Sequence, residues 1–251
     1  MRSEVRHRLK EDRFATTAQD YFSWMREHSV GMVGVVLALT IAIALVLGGM
    51  YYMETQEQKA SAALGSAMDT LKARVGAPDA NPEGPDESYA SIKERGQAAQ
   101  KKLEAVAGQY RFTHSGKIAR YLIGVAELQQ DNNTAAETTF KQVAASGDKE
   151  LASLAKLALA SLYRTSSRNS DAINIYKDLA AHPTHEVSKV AAQFELAGMY
   201  ETTQPDEARK IYQEIQSSVS QDSPIAQQAL MKMLTIRGGT GAMPFPMQMQ
   251  R

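Results

Sequence analysis

Residues 172–179 read AINIYKDL, and this octapeptide decides the fold because two others share its pattern. Residues 136–143 read AETTFKQV and residues 208–215 read ARKIYQEI, each 36 residues away. All three begin with alanine, have an aromatic residue at the fifth position and end in an apolar residue, which is the spacing of one face of an α-helix. A regular period of this length predicts an array of repeated helical units.

The helix before each octapeptide carries a small residue at a matching position. These small residues are Gly124, Ala160 and Ala197. Antiparallel helices approach closely only where one presents a small side chain, so the pattern predicts tightly packed helix pairs. Each pair leaves an apolar face uncovered, and the pairs must therefore stack on one another. The sequence predicts an all-α, helical-hairpin solenoid over residues 54–237.

An earlier unit is predicted before these three. Ala99, Leu103 and Val106 repeat the pattern 37 residues before residues 136–143, so residues 91–109 form the second helix of that unit. Its first helix is predicted to stop at Gly76 and carries an apolar stripe at helical spacing: Ala60, Ala63, Leu64, Ala67, Met68, Leu71 and Val75. Residues 76–88, rich in proline and glycine, are predicted to form a loop inserted between the two helices.

N-terminal to the repeats, the stretch from Val30 to Met53 contains no charged side chain. A bilayer core of about 30 Å needs about 20 apolar helical residues to cross it, and this stretch has 24 residues. A cleaved signal peptide is the alternative, but its apolar region is usually about 7–15 residues long. The sequence therefore predicts a single, uncleaved transmembrane helix over residues 30–53.

The distribution of lysine and arginine predicts the orientation of this helix. Six of these residues lie in the tail of residues 1–29: Arg2, Arg6, Arg8, Lys10, Arg13 and Arg26. Basic residues favour the cytoplasmic side of a membrane. The tail is therefore predicted to be cytoplasmic and the repeats to lie outside the cytoplasm, in the periplasm if the source is a double-membrane bacterium. The inverse topology, with cytoplasmic repeats, is the alternative. Residues 238–251, rich in Gly, Pro, Met and Gln, are predicted to be disordered.

The small–aromatic–apolar spacing resembles the tetratricopeptide repeat, whose period is about 34 residues. The match is partial. Glu127 stands where that pattern has tyrosine, and Asp131 and Ser167 stand where it has glycine.

A further resemblance, in architecture, covers most of the chain. The tail ending in Tyr21-Phe22-Ser23-Trp24, the single span, the alanine-rich helix and the degenerate repeats are similar to the YfgM-like family. That resemblance implies an ancillary subunit of the Sec translocon in the bacterial inner membrane, whose periplasmic repeats work beside a membrane-anchored chaperone. The implied partners are translocon subunits, that chaperone and exported polypeptides. The basic segment from Arg2 to Arg13, the inserted loop and the Met-rich C-terminal tail differ from the family. A scaffold for another cell-envelope assembly, such as cell-wall or outer-membrane machinery, is therefore the alternative.

Residues suited to catalysis are scarce. The chain has no cysteine, which excludes disulfides, thiolate metal sites and a cysteine nucleophile. His182 and His185 have a spacing compatible with a metal, and a metal-dependent hydrolase is the enzyme alternative, although zinc needs three or four ligands and these residues lie at a turn. Without the N-terminal tail and Arg251, 21 basic residues face 23 acidic ones, and this near balance gives no electrostatic footprint for nucleic acid. We expect a non-enzymatic protein without a cofactor, metal or small-molecule substrate.

A protein-binding groove is better supported by the repeat pattern. The first helix of each pair lines the concave face of a stacked array, and the small residue marks which positions point inward. The inward positions are Tyr121, Val125, Leu128, Leu157, Ser161, Arg164, Phe194, Gly198 and Glu201. Tyr121, Leu157 and Phe194 would form an apolar ladder suited to a helix or an extended peptide. The alternative is that these side chains only pack between units.

Small residues also lie along the predicted transmembrane helix. Gly34, Ala38 and Ala42 fall on one i, i+4, i+8 line. Such residues let helices approach closely in lipid, so this line is a candidate contact for a partner helix.

Overall fold

The computed structural model describes residues 29–76 and 88–238. Apart from their edge residues, the predicted cytoplasmic tail, the inserted loop and the C-terminal tail therefore lie outside the described residues. The described chain divides after Gln58 into two compact units.

The first helix, α1, runs without a break from Ser29 to Lys72. In its N-terminal part every large apolar side chain from Val33 to Met53 is exposed, by between 41% and 76%. This helix is long and apolar enough to cross a membrane.

After Gln58 the same helix belongs to the second unit and buries a regular stripe. The buried residues are Ala60, Leu64, Ala67 and Leu71. The last three share a core cluster with Ala99 and Leu103 of the next helix. The prediction that Val75 continues the stripe is wrong. The helix ends at Lys72, and Val75 lies in a short strand with its side chain 41% exposed.

Eight further helices follow in the described residues. They are α2 (Ile92–Gln109), α3 (His114–Gln129), α4 (Asn133–Ala144), α5 (Lys149–Thr165), α6 (Asn169–Ala181), α7 (Lys189–Tyr200), α8 (Pro205–Ser218) and α9 (Pro224–Gly238). Each of these helices packs mainly against its neighbours in the sequence. Short turns between neighbouring helices produce successive antiparallel hairpins. The predicted fold class, a long apolar N-terminal helix followed by stacked helical hairpins, is confirmed.

Two short strands join the ends of the inserted loop. β1 (Arg74–Val75) and β2 (Ser88–Tyr89) pair in parallel. Gly76 follows β1 with a φ of +137°, a conformation that favours glycine. Its backbone N–H donates to the carbonyl oxygen of Tyr89 at 3.0 Å. Hydrophobic periodicity predicts no strand here, because a two-residue strand has no detectable period. The predicted loop therefore includes Ser88.

Contacts between small and aromatic residues form the centre of the core. The alanine and aromatic positions of the three octapeptides are at most 1% exposed: Ala136, Phe140, Ala172, Tyr176, Ala208 and Tyr212. Gly124 lies directly against the Phe140 ring, since a Cβ added to it would be 2.6 Å from ring atom Cε1. The first of the three matching small positions therefore requires glycine, whereas alanine is accommodated at 160 and 197.

Two turns account for the departures from the tetratricopeptide pattern at its glycine position. Asp131, after α3, has a φ of 60°, and Ser167, after α5, has a φ of 59°. This left-handed conformation is the one that glycine adopts without strain at a helix end. The glycine of the repeat pattern is thus replaced in sequence while its backbone conformation is kept.

We predict that Gly124→Ala lowers the free energy of unfolding by about 1–3 kcal/mol, because the new methyl group overlaps the buried Phe140 ring. Gly65→Ala is the matched control. Gly65 also lies within a helix, but an added Cβ there would meet nothing within 4 Å. That control should be neutral or raise stability by about 0.5–1 kcal/mol. Urea unfolding of the full chain in detergent, followed by circular dichroism, measures both. Equal effects would contradict the close contact.

Candidate functional site

The nine predicted groove positions are at or near the surface. Seven are partly buried: Tyr121, Val125, Leu128, Leu157, Ser161, Phe194 and Glu201. The other two, Arg164 and Gly198, are exposed. They lie, as their spacing requires, on the first helices of successive pairs, α3, α5 and α7, or one residue beyond α7. None is fully buried.

The apolar ladder divides its surface between the core and solvent. The ring centroid of Tyr121 lies 5.7 Å from that of Phe140, and Phe194 meets Tyr212 edge-on at 5.5 Å. Leu157 packs partly against the same core cluster. Burial raises the pKa of the Tyr121 hydroxyl. Each ladder residue therefore packs within the array and still presents a face outside it.

Ion pairs border this ladder. The Arg164 guanidinium lies 3.1 Å from Glu195 Oε2. Glu201 accepts a hydrogen bond from the Tyr212 hydroxyl at 2.7 Å and pairs with Lys232 at 3.1 Å. The pKa of Tyr212 is raised, first by burial and then by this bond to the Glu201 carboxylate. Two of the predicted groove residues, Arg164 and Glu201, are thus held by partners within the chain.

A second polar network links α4 to the turn between α5 and α6. Glu137 accepts from Arg168 at 2.9 and 3.0 Å and from the Tyr163 hydroxyl at 3.0 Å. Lys141 lies 2.6 Å from the same carboxylate, and the Arg168 guanidinium stacks 3.8 Å from the centre of the Tyr163 ring. Hydrogen bonds from Lys141 and Arg168 lower the pKa of Glu137 to about 2. No sequence pattern predicts this network, because its members lie up to 31 residues apart with no shared motif.

A cleft of about 630 Å³ opens on another face of α3. Helices α2, α3 and α4 and the turn before α5 form its walls. Its charged lining residues are Glu104, Arg111, Lys117, Arg120, Glu127 and Asp148. The repeat pattern does not predict this cleft. One signal for it was present, since Glu127 stands where the repeat pattern has tyrosine.

The two histidines of the enzyme alternative do not form a metal site with their neighbours. His182 Nδ1 lies 3.1 Å from a carboxylate oxygen of Asp178, and the side chain of His182 is 79% exposed. His185 is exposed as well. Over residues 29–76 and 88–238, no three His, Asp or Glu side chains are arranged to hold a metal ion.

The small residues of α1 are exposed along one line. Ala38 and Ala42 are exposed, and a Cβ added to Gly34 would meet no heavy atom within 4 Å. This line of α1 is therefore uncovered by the described part of the chain.

No family model matches this chain, and no characterised protein matches it. Two solved chains are similar to it: the TPR-like repeats of a kinesin light chain-like protein from Podosopora anserina, at 14% identity, and a single-substitution variant of that protein, at 16% identity. Each match has a TM-score of 0.51 and covers 74% of this chain and 88% of the other. At this identity the likeness shows the fold alone, a tetratricopeptide-like helical repeat.

We predict that Glu137→Gln lowers the free energy of unfolding by about 1–2 kcal/mol at pH 7, because it removes the negative charge that pairs with Arg168 and Lys141. The pKa of Glu137 is depressed in the folded chain, so its stabilising effect is complete above pH ~4.5 and is lost as the pH falls towards 2. The difference between variant and parent should therefore shrink over that interval. Denaturant unfolding at several pH values measures it, and a difference independent of pH would contradict the role of the charge.

Proposed function

We propose that this chain is a membrane-anchored, non-catalytic scaffold that binds other proteins through its repeats. By its resemblance to the YfgM-like family, we place it in the bacterial inner membrane, with a cytoplasmic N-terminus and periplasmic repeats. There it would act as an accessory of the Sec translocon. Its partners would be translocon subunits, a membrane-anchored chaperone and exported polypeptides. The observation that carries the proposal is the uncovered apolar part of α1.

The exposed side chains between Val33 and Met53 favour a lipid environment. Soluble proteins rarely leave so large an apolar surface in water, and the described chain covers none of it. A core helix of a soluble protein would be buried instead. A cleaved signal sequence usually has a shorter apolar region. Tyr51 and Tyr52, at the end of the apolar part, suit the membrane–water interface. These features support a retained anchor over residues 30–53.

The anchor also offers a surface for a membrane partner. Gly34, Ala38 and Ala42 share one face of α1, and nothing in the described chain covers it. In lipid, small side chains allow a second helix to approach closely enough for backbone packing. We assign this face to a partner helix, for which a translocon subunit is the candidate.

The repeats supply a surface for soluble segments of partners. Tyr121, Leu157 and Phe194 each keep an outward face on successive first helices, and such an apolar line suits an amphipathic helix or an extended chain. Ion pairs at Arg164 and Glu201 give this line a polar border, which is the usual arrangement at protein interfaces. Tethering to the membrane would raise the effective concentration of this surface near emerging polypeptides.

The absence of a catalytic role rests on the fold and on the chemistry of the described residues. Tetratricopeptide-like repeats typically serve as non-catalytic scaffolds. Among the described residues, most titratable groups with displaced pKa values are buried or half-buried tyrosines, or carboxylates and bases in ion pairs. The exceptions are Glu127, whose pKa burial raises, and Glu150, whose pKa is lowered first by a hydrogen bond from the backbone N–H of Glu186.

We predict that a photoreactive amino acid at Leu157 captures translocon subunits or their chaperone in living cells, because this position lies in the middle of the ladder. The matched control is Asn174, an exposed position on α6 away from the ladder, which should capture much less. Crosslinked products are identified by mass spectrometry after purification in mild detergent. Capture of cell-wall or outer-membrane machinery would favour the other envelope assembly. Self-contacts alone at Leu157 would contradict a binding ladder.

Membrane fractionation and reporter fusions in the same cells test the anchor and its orientation. The full chain should stay in the membrane pellet after an alkaline carbonate wash, and alkaline phosphatase fused after Arg251 should be active. A carbonate-soluble chain would overturn the anchor. Fluorescence of a cytoplasm-only reporter at the same fusion site would overturn the periplasmic location of the repeats.

A further inference from the structure

The last helix, α9, exposes an apolar face at the C-terminal end of the repeats. One side of α9 packs against α8 and buries Ala226 and Ala229. Another side exposes three large apolar residues: Leu230 by 45%, Met231 by 62% and Leu234 by 54%. The terminal units of a repeat array normally present a polar outer face to water. The exposed face of α9 therefore calls for a covering element.

The repeat pattern indicates what kind of element would cover this face. In each earlier pair a second helix packs on the first, but within the described residues no helix follows α9. Buried Ala229 lies 37 residues after buried Ala192, and by the same offset Leu234 matches Ala197 of α7. Glycine or alanine at this position lets the second helix approach closely. The larger leucine side chain in α9 favours an element that does not bring a helix backbone equally near.

The residues that follow α9 have the pattern of an extended apolar segment. Residues 239–251 read GTGAMPFPMQMQR and lie outside the described residues. From position 243 to position 249 every second residue is large and apolar: Met243, Phe245, Met247 and Met249. In an extended chain this period places them on one side. Pro244 and Pro246 favour an extended backbone and do not suit the interior of a helix.

This segment reaches the face of α9 after a short reversal of the chain. The helix ends at Gly238, and two of the next three residues are glycines, which adopt the conformations that a tight turn requires. A helix rises about 1.5 Å per residue, and an extended chain covers about 3.3 Å per residue. After a turn at the glycines, Met243 returns to the level of Leu234. Phe245 then returns to the level of Leu230.

We propose that residues 243–249 fold back along α9 and cover its exposed apolar face, so that the chain closes the end of its own repeats. Met243 lies against Leu234, and Phe245 lies against Leu230. The chain itself is favoured over a separate occupant, because a short connection keeps the segment at a high effective concentration beside this face and makes the entropic cost of closing the loop small. A segment that is disordered by itself can order on an apolar surface.

Disulfide formation between engineered cysteines tests the proposal, since the chain has no cysteine of its own. The test variant carries Leu234→Cys and Met243→Cys. The matched control carries Thr235→Cys and Met243→Cys, because Thr235 is also exposed but lies about 100° further round the helix. Both full-length variants are equilibrated in detergent with a glutathione redox buffer, and the disulfide fraction gives the effective concentration of each pair.

The test pair should have an effective concentration about tenfold or more above that of the control pair, because only facing positions meet the distance that a disulfide needs. A segment that does not settle on this face would meet both cysteines of α9 equally often. Equal effective concentrations would therefore overturn the proposal and leave the face to a separate partner.

Two further variants identify what holds the segment in place. Phe245→Ser, added to the test variant, should abolish its preference over the control pair, whereas Gln248→Ser, on the other side of the extended segment, should keep it. A preference that survives Phe245→Ser would overturn the apolar contact. Leu234→Cys alone should form no more disulfide-linked dimer than Thr235→Cys alone. An excess of dimer would assign the face to a second copy of the chain and overturn the proposal.

Discussion

The contact between a small residue on one helix and an aromatic residue on its neighbour is the constraint on which this fold depends. Gly124 against the Phe140 ring shows it directly, because a single added methyl group would lie 2.6 Å from a ring carbon. Such contacts let antiparallel helices approach closely, and each closed pair then presents an apolar face that only another pair can cover. The solenoid and its surfaces follow from repeating this contact every 36 residues.

Sequence periodicity predicted the elements that rest on local spacing. The octapeptide helices and the small positions before them follow from the helical period and from repeat matching. Periodicity failed where the chain leaves that period. Val75 fits the apolar stripe by spacing alone, yet α1 ends at Lys72 and β1 begins at Arg74. Strand pairing between Arg74 and Ser88 depends on two segments meeting across a loop, which no local pattern encodes.

For the candidate sites, the sequence predicts positions on the helices but not the contacts made there. The ladder positions lie at or near the surface, but their aromatic contacts and the ion pairs at Arg164 and Glu201 arise from tertiary packing. Two glutamates also show that tertiary contacts cannot be read from local sequence patterns. Glu137 receives hydrogen bonds from three side chains, whereas Glu127, ten residues earlier, has a buried oxygen without a hydrogen-bond partner among the described residues. In the sequence Glu127 is recognisable only as a departure from the repeat pattern, and only the folded chain shows which of the two carboxylates is paired.

Hydrogen exchange on a Tyr176→Ala variant tests the central claim most directly. Tyr176 fills the middle unit and is 1% exposed, so its truncation removes a large buried side chain from one small–aromatic contact. If stability is carried by contacts between neighbouring units, exchange measured by mass spectrometry on the full chain in detergent should accelerate most in α5, α6 and α7. Helices α2 and α3 should keep most of their protection. Equal acceleration in every helix, or none in α6, would contradict the account.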